Sequence, residues 1–106
     1  MPGTDPIAAV LGPSSTIHAR VRGNEATVAL VDDRIVVASD RVALDIDVRE
    51  VRRVQLDIER DRHGLLVIVP IHVRHEPQVV SFPPEEYEAL ADTLVRIGRR
   101  LSKTTD

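Results

Sequence analysis

The 106-residue chain has no cysteine, no tryptophan, one tyrosine, one phenylalanine and a single lysine, Lys103. Without cysteine, neither a disulfide framework nor a thiolate metal site can form. With aromatics at 2%, the stacking platforms that hold single-stranded nucleic acid are missing, and the core must be built from Val, Leu and Ile. No apolar run approaches the ~18 residues of a membrane span. The amino-terminal run IAAVLG is too short for a secretory signal, so the expectation is a soluble cytoplasmic protein. The net charge of −3 opposes a general electrostatic grip on DNA or RNA, which needs clustered positive charge. The near-exclusive use of Arg for positive charge points to a GC-rich or salt-adapted genome and supplies side chains suited to bidentate ion pairs.

What is present suffices for one folded domain. Hydrophobic residues are 42% and charged residues 29%, in the globular range. Residues 1–14 are broken by Pro2, Gly3, Pro6, Gly12 and Pro13 and read as a flexible segment. Asp5 and Pro6 could start a short helix there that ends at Gly12. From residue 15 the hydrophobic period is two. STIHARVR (15–22), ATVALV (26–31) and RIVVAS (34–39) read as strands joined at Gly23-Asn24 and Asp32-Asp33. In VALDIDVREVRRVQLDIER (42–60), apolar residues alternate with charged ones on both sides of a break at Arg49-Glu50, which predicts strands with one wet face. Asp61-Arg62-His63-Gly64 marks a hairpin turn. LLVIVPIHV (65–73) is apolar almost throughout and predicts a strand covered on both faces, with Pro70 at an edge or bulge. A last strand covers 78–82.

The period then becomes 3.6. Pro83 and Pro84 suit a helix start. Glu85, Glu86 and Glu88 favour its positive end, and Arg96, Arg99, Arg100 and Lys103 its negative end. Tyr87, Leu90, Ala91, Leu94, Ile97 and Leu101 form one stripe, predicting an amphipathic helix over 84–101 that packs on the sheet. The expected fold class is α+β, mainly β: about seven short antiparallel strands in a bent sheet or half-open barrel, capped by one carboxy-terminal helix. The domain would span 15–102, with a tail at 103–106.

This order of elements resembles a pleckstrin-homology-like domain of the bacterial PH-like or GRAM type. Three passages carry the resemblance: the hairpin ATVALVDDRIVVAS, the strand and turn VALDIDVREVRRVQL with Val48 or Val51 and Val54 flanking a polar step, and VSFPPEEYEALADTLVRIGRRL leading into the helix. It implies the fold and the general role of a binding scaffold. The tryptophan common in the capping helix of eukaryotic members is absent. So is the basic cluster on the first two strands used by phosphoinositide binders: Arg20 and Arg22 are there, but the next loop, GNEAT, has no Lys.

Candidate chemistry is sparse. His72 and His75 stand three apart, which on a continuous strand places them on opposite faces and argues against a shared metal. His18 and His63 are isolated from them. Asp45, Asp47, Asp57 and Glu59 could gather round a hard cation, but cross-strand pairing with Arg41, Arg49, Arg53 or Arg60 is the simpler expectation. No Gly-x-Ser-x-Gly elbow and no phosphate-cradling glycine loop is present, so neither an enzyme nor a bound cofactor is expected. The residues singled out for anion or partner contact are Arg20, Arg22, Arg49, Arg52 and Arg53. The leading expectation is a non-catalytic interaction or self-association module, a homo-oligomer or a partner of another protein. A module for anionic membrane surfaces is the alternative, and a nucleic-acid-associated protein contacting phosphate through the helix end is the second.

Overall fold

The computed structural model describes residue 7, residue 12, residues 14–58 and residues 64–104, with side chains to Leu101. Among these residues the chain forms seven strands and one α-helix: β1 (Ile17–Arg22), β2 (Thr27–Val31), β3 (Arg34–Ala38), β4 (Val42–Asp47), β5 (Val51–Ile58), β6 (Gly64–Pro70), β7 (Gln78–Phe82) and α1 (Tyr87–Thr104). A single 3-10 turn, Val48–Glu50, joins β4 to β5, and another, Pro84–Glu86, leads into α1. The strands make two antiparallel meanders, β1-β2-β3-β4 and β5-β6-β7. The architecture is therefore α+β and mainly β, a half-open barrel rather than a closed one.

One core lies between the sheets and the helix. Val21, Leu30, Ile35, Leu44, Leu66, Ile68, Val80 and Phe82 fill it with Leu90 and Ile97 of α1. The helix packs on β1, β2 and the Val48–Glu50 turn. Its buried stripe runs through Leu90, Thr93 and Ile97, with Leu94 and Leu101 half-covered. Ala91, expected on the stripe, is exposed. Thr93 takes the buried position, and its hydroxyl donates to the Ala89 carbonyl at 2.8 Å, which satisfies the polar group where water is excluded.

The strands covered on both faces are β2 and β3. Val28, Leu30, Ile35 and Val37 point into the main core, while Ala29, Val31, Val36 and Ala38 form a second cluster with Ile7 on the outer face. The stretch 65–73, expected to be covered on both faces, behaves differently. It ends as a strand at Pro70, opposite an irregularity at Val51–Arg53, and Leu65, Val67 and Val69 on its outer side stay half-exposed. Residues 71–73 belong to a loop, where the Ile71 amide donates to the Glu50 carbonyl. The proposed short helix before Gly12 and the turn over 61–63 lie outside the described residues. No described helix is long and apolar enough to cross a membrane.

The two sheets are stitched at one corner. The amide of Asn24 donates to the Ser81 carbonyl, and the Glu25 carboxylate accepts from both the amide and the hydroxyl of Ser81 at 2.7 and 2.8 Å. Gly23 permits this approach: a Cβ there would lie 2.6 Å from Val80 Cγ1, 2.7 Å from the Ala26 carbonyl oxygen and 2.8 Å from that of Ser81. At Gly98, on the exposed face of α1, a Cβ meets nothing within 4 Å. The two glycines therefore respond oppositely to alanine. Urea denaturation should show Gly23→Ala destabilising the fold by about 1–3 kcal/mol through overpacking, and Gly98→Ala stabilising it by about 0.5–1 kcal/mol through helix propensity.

Candidate functional site

With the Gly23–Ser81 corner closed, the longest strand at a sheet edge among the described residues is β5, at the far side of the second sheet. There β5 pairs with β6 on one side. Among the described residues its other side makes no backbone ladder. The register sets what each side chain of β5 faces. Val54 and Leu56 align with Ile68 and Leu66 toward the core, and Arg53, Gln55 and Asp57 align with Val69, Val67 and Leu65 on the outer face. Val54 and Leu56 are only half-covered, and Ile58 is 56% exposed.

Arg52 and Arg53 stand at the start of this edge and line, with Val69, an open hollow of ≈ 300 Å³. Both are exposed, and among the described residues neither takes part in an ion pair. Arg49 is close in the chain but differently used. Its guanidinium makes a two-point contact with Asp47, Nε to Oδ1 at 2.9 Å and Nη2 to Oδ2 at 3.0 Å. The same carboxylate accepts the Arg49 amide, while Glu50 accepts the Asp47 amide. Arg49 is thereby committed to holding the β4–β5 corner. Arg20 and Arg22 lie on β1 in the other sheet, aligned with Ala29 and Thr27 of β2. The five arginines do not form one patch: Arg52 and Arg53 share a surface, Arg49 braces the corner beside it, and Arg20 and Arg22 sit apart.

The remaining candidates divide in the same way. Asp47 pairs with Arg49, one of the expected partners, whereas Asp45 is held by Arg34 Nη1 at 3.2 and 3.0 Å, a diagonal cross-strand pair with an arginine outside the expected set. Asp57 accepts from Gln55 Nε2 at 3.2 and 3.1 Å. Glu59, Arg60, Arg62 and His63 lie outside the described residues. No three His, Asp or Glu among the described residues converge on a point where a metal could sit. His72 and His75 belong to the β6–β7 loop rather than a strand, with the His75 amide donating to the His72 carbonyl. In that loop Val73 is fully exposed and Ile71 is 56% exposed. At the helix end, Arg96 pairs with Asp92, and Arg100 contacts Asp33 and the Asp32 carbonyl, so part of the expected phosphate-binding cluster is tied to the protein itself.

No family model matches the sequence, and no curated protein matches it. Among solved structures, the chain is similar to the pleckstrin homology domain from Shewanella amazonensis SB2B. The TM-score is 0.60 at 14% identity, over 86% of this chain and 90% of that one. The fold is pleckstrin-homology-like, and at this identity the likeness is one of fold alone.

The electrostatics of the corner give a pH dependence. The side chain and then the amide of Arg49 hold the Asp47 carboxyl below its ordinary value. A carboxylate depressed on folding stabilises the native state above its unfolded pKa, and that contribution is lost as pH falls through the lower native pKa. In acid denaturation followed by circular dichroism, Asp47→Asn should therefore be less stable than the parent at neutral pH and converge on it in the acid range below about pH 4.

Proposed function

We propose that this chain is a non-catalytic interaction module that recognises protein by accepting an extended strand along β5. The observation that carries the reading is the eight-residue β5, which among the described residues pairs on one side only and carries Arg52 and Arg53 near its start, neither of them in an ion pair there. An unpaired edge offers amide and carbonyl groups in register to an incoming strand, while alternate side chains set specificity. β5 contains no Pro and no Lys, and its charged residues Arg52, Arg53 and Asp57 and the irregularity between Val51 and Arg53 leave the stretch 54–56 regular. Arg52 and Arg53 add forks that match carboxylates on the incoming segment. Among the described residues, two serine hydroxyls donate within the protein itself. Ser39 bonds to the neighbouring Asp40, and Ser81 is occupied in the stitch to Glu25.

A photoreactive residue at Gln55, introduced in the organism that encodes the chain, should yield crosslinked protein adducts. The same residue at the exposed Ala43 of β4 should yield few. Equal labelling at both positions, or none at Gln55, contradicts the reading.

A second reading, contact with an anionic membrane surface, is favoured by the β6–β7 loop. Exposed Ile71 and Val73 alternate there with His72 and Arg74, and the loop begins beside the first residues of β5. Apolar side chains beside a cation such as Arg74 suit the boundary between headgroups and acyl chains. On this reading, the chain co-sediments with phosphatidylserine vesicles at low salt, and Val73→Asp reduces binding about as much as Arg52→Glu. Absence of binding at low salt contradicts it.

A further inference from the structure

We propose that the strand received by β5 is β5 of a second copy of this chain, paired antiparallel about a twofold axis at Gln55. The inference rests on the strand-addition reading above and names its partner. It comes from a symmetry in the residues of the edge. In an antiparallel pair centred on Gln55, Arg53 of one copy stands opposite Asp57 of the other, and Val54 stands opposite Leu56. The twofold axis repeats each pairing, so two opposite-charge pairs and two apolar pairs form at once.

The faces agree as well. Directly opposed residues on antiparallel strands project to the same side. Arg53, Gln55 and Asp57 all lie on the outer face, aligned with Val69, Val67 and Leu65 of β6, and Val54 and Leu56 lie on the inner face, aligned with Ile68 and Leu66. The charge pairs would therefore meet in solvent-accessible space. The apolar pairs would cover the half-exposed inner side of the edge, where Ile58 is also left open. Within each copy Gln55 donates to Asp57. A carboxylate has about four lone-pair sites, so the capacity to accept an incoming arginine remains.

Other registers lose this match. A slip of one residue opposes inner-face to outer-face side chains. Centring on Val54 sets Arg53 against Gln55 and Asp57 against Val51. Centring on Leu56 sets Asp57 against Gln55. Of these centres only Gln55 joins Arg53 to Asp57 and Val54 to Leu56, while at the ends of the described strand it sets Arg52 against Ile58. The product would be a continuous six-stranded sheet that removes the open edge from both copies.

Light scattering and sedimentation velocity on the purified chain test the pairing. The parent should be a dimer at micromolar concentration. Arg53→Asp and Asp57→Arg each set like charges opposite one another twice, and each should weaken the dimer by about tenfold or more with unchanged circular dichroism. The double variant Arg53→Asp/Asp57→Arg should recover it. Mixing the two single variants should give a heterodimer, since each then presents the other's counter-charges. A parent that stays monomeric at high micromolar concentration overturns the pairing, as do single variants that both remain dimers or a double variant that remains monomeric. The crosslink at Gln55 separates this failure from failure of the wider reading. Adducts heavier than the chain by something other than its own mass, with a monomeric parent, overturn the second copy but keep strand addition. No adducts and a monomeric parent overturn both.

Discussion

The contact on which the rest of the molecule depends is the close approach of Gly23–Glu25 to Ser81. Two meanders of short strands cannot bury their inner faces separately, and they must be brought together edge to edge or face to face. Here the absence of a side chain at Gly23 lets the β1–β2 turn touch the backbone of β7, and four hydrogen bonds between Asn24, Glu25 and Ser81 fix it. The helix follows β7 immediately and lies across β1, β2 and the Val48–Glu50 turn. Closing that side and capping it consumes the available cover. The β4–β5 side is reached only through a tight turn braced by Asp47 and Arg49, and β5 is left with an open flank.

Which charges are spent and which are not then follows from position. Arg34, Arg49, Arg96 and Arg100 each have a carboxylate within reach on a neighbouring strand, turn or helix position. Exposed pairs of this kind add little to stability, so their effect is mainly to fix local geometry. Arg52 and Arg53 fall at the irregular start of β5, where the adjacent strand offers Val69 and Pro70 and no acid. Their availability is a consequence of fold topology, and it coincides with the longest of the strands that end a sheet among the described residues.

Much of the fold was legible in the sequence because its signals are local. The alternation in 42–58, the turn residues at Gly23-Asn24 and Asp32-Asp33, and the 3.6-residue stripe of Leu90, Leu94, Ile97 and Leu101 each specify an element without reference to the rest of the chain. What misled was tertiary. A nearly continuous apolar run marks a strand that could be covered twice, but only packing decides which strand is. The small Ala29 and Ala38 beside Val31 and Val36 made β2 and β3 the doubly covered pair, whereas the outer side of β6 is flanked by Arg53, Gln55 and Asp57. Likewise, Arg34 as the partner of Asp45 depends on the β3–β4 register, which has a shift near Val37–Ala38. Arg52 and Arg53 could be named from sequence as an arginine knot, but their separation from Arg20 and Arg22 required knowing that the strands belong to different sheets. The charge symmetry about Gln55 is present in the letters VRRVQLDI. It acquires meaning only once β5 is an unpaired edge.

The central claim is that β5 carries an open edge in the single chain and that this edge is where the protein is engaged. Residue-resolved amide hydrogen exchange at increasing protein concentration tests it most directly. The account predicts that at high dilution alternate amides of residues 52–58 exchange far faster than those of β6, and that these amides alone gain protection as concentration rises. Protection along the whole of β5 at every dilution, equal to that of β6, would contradict it.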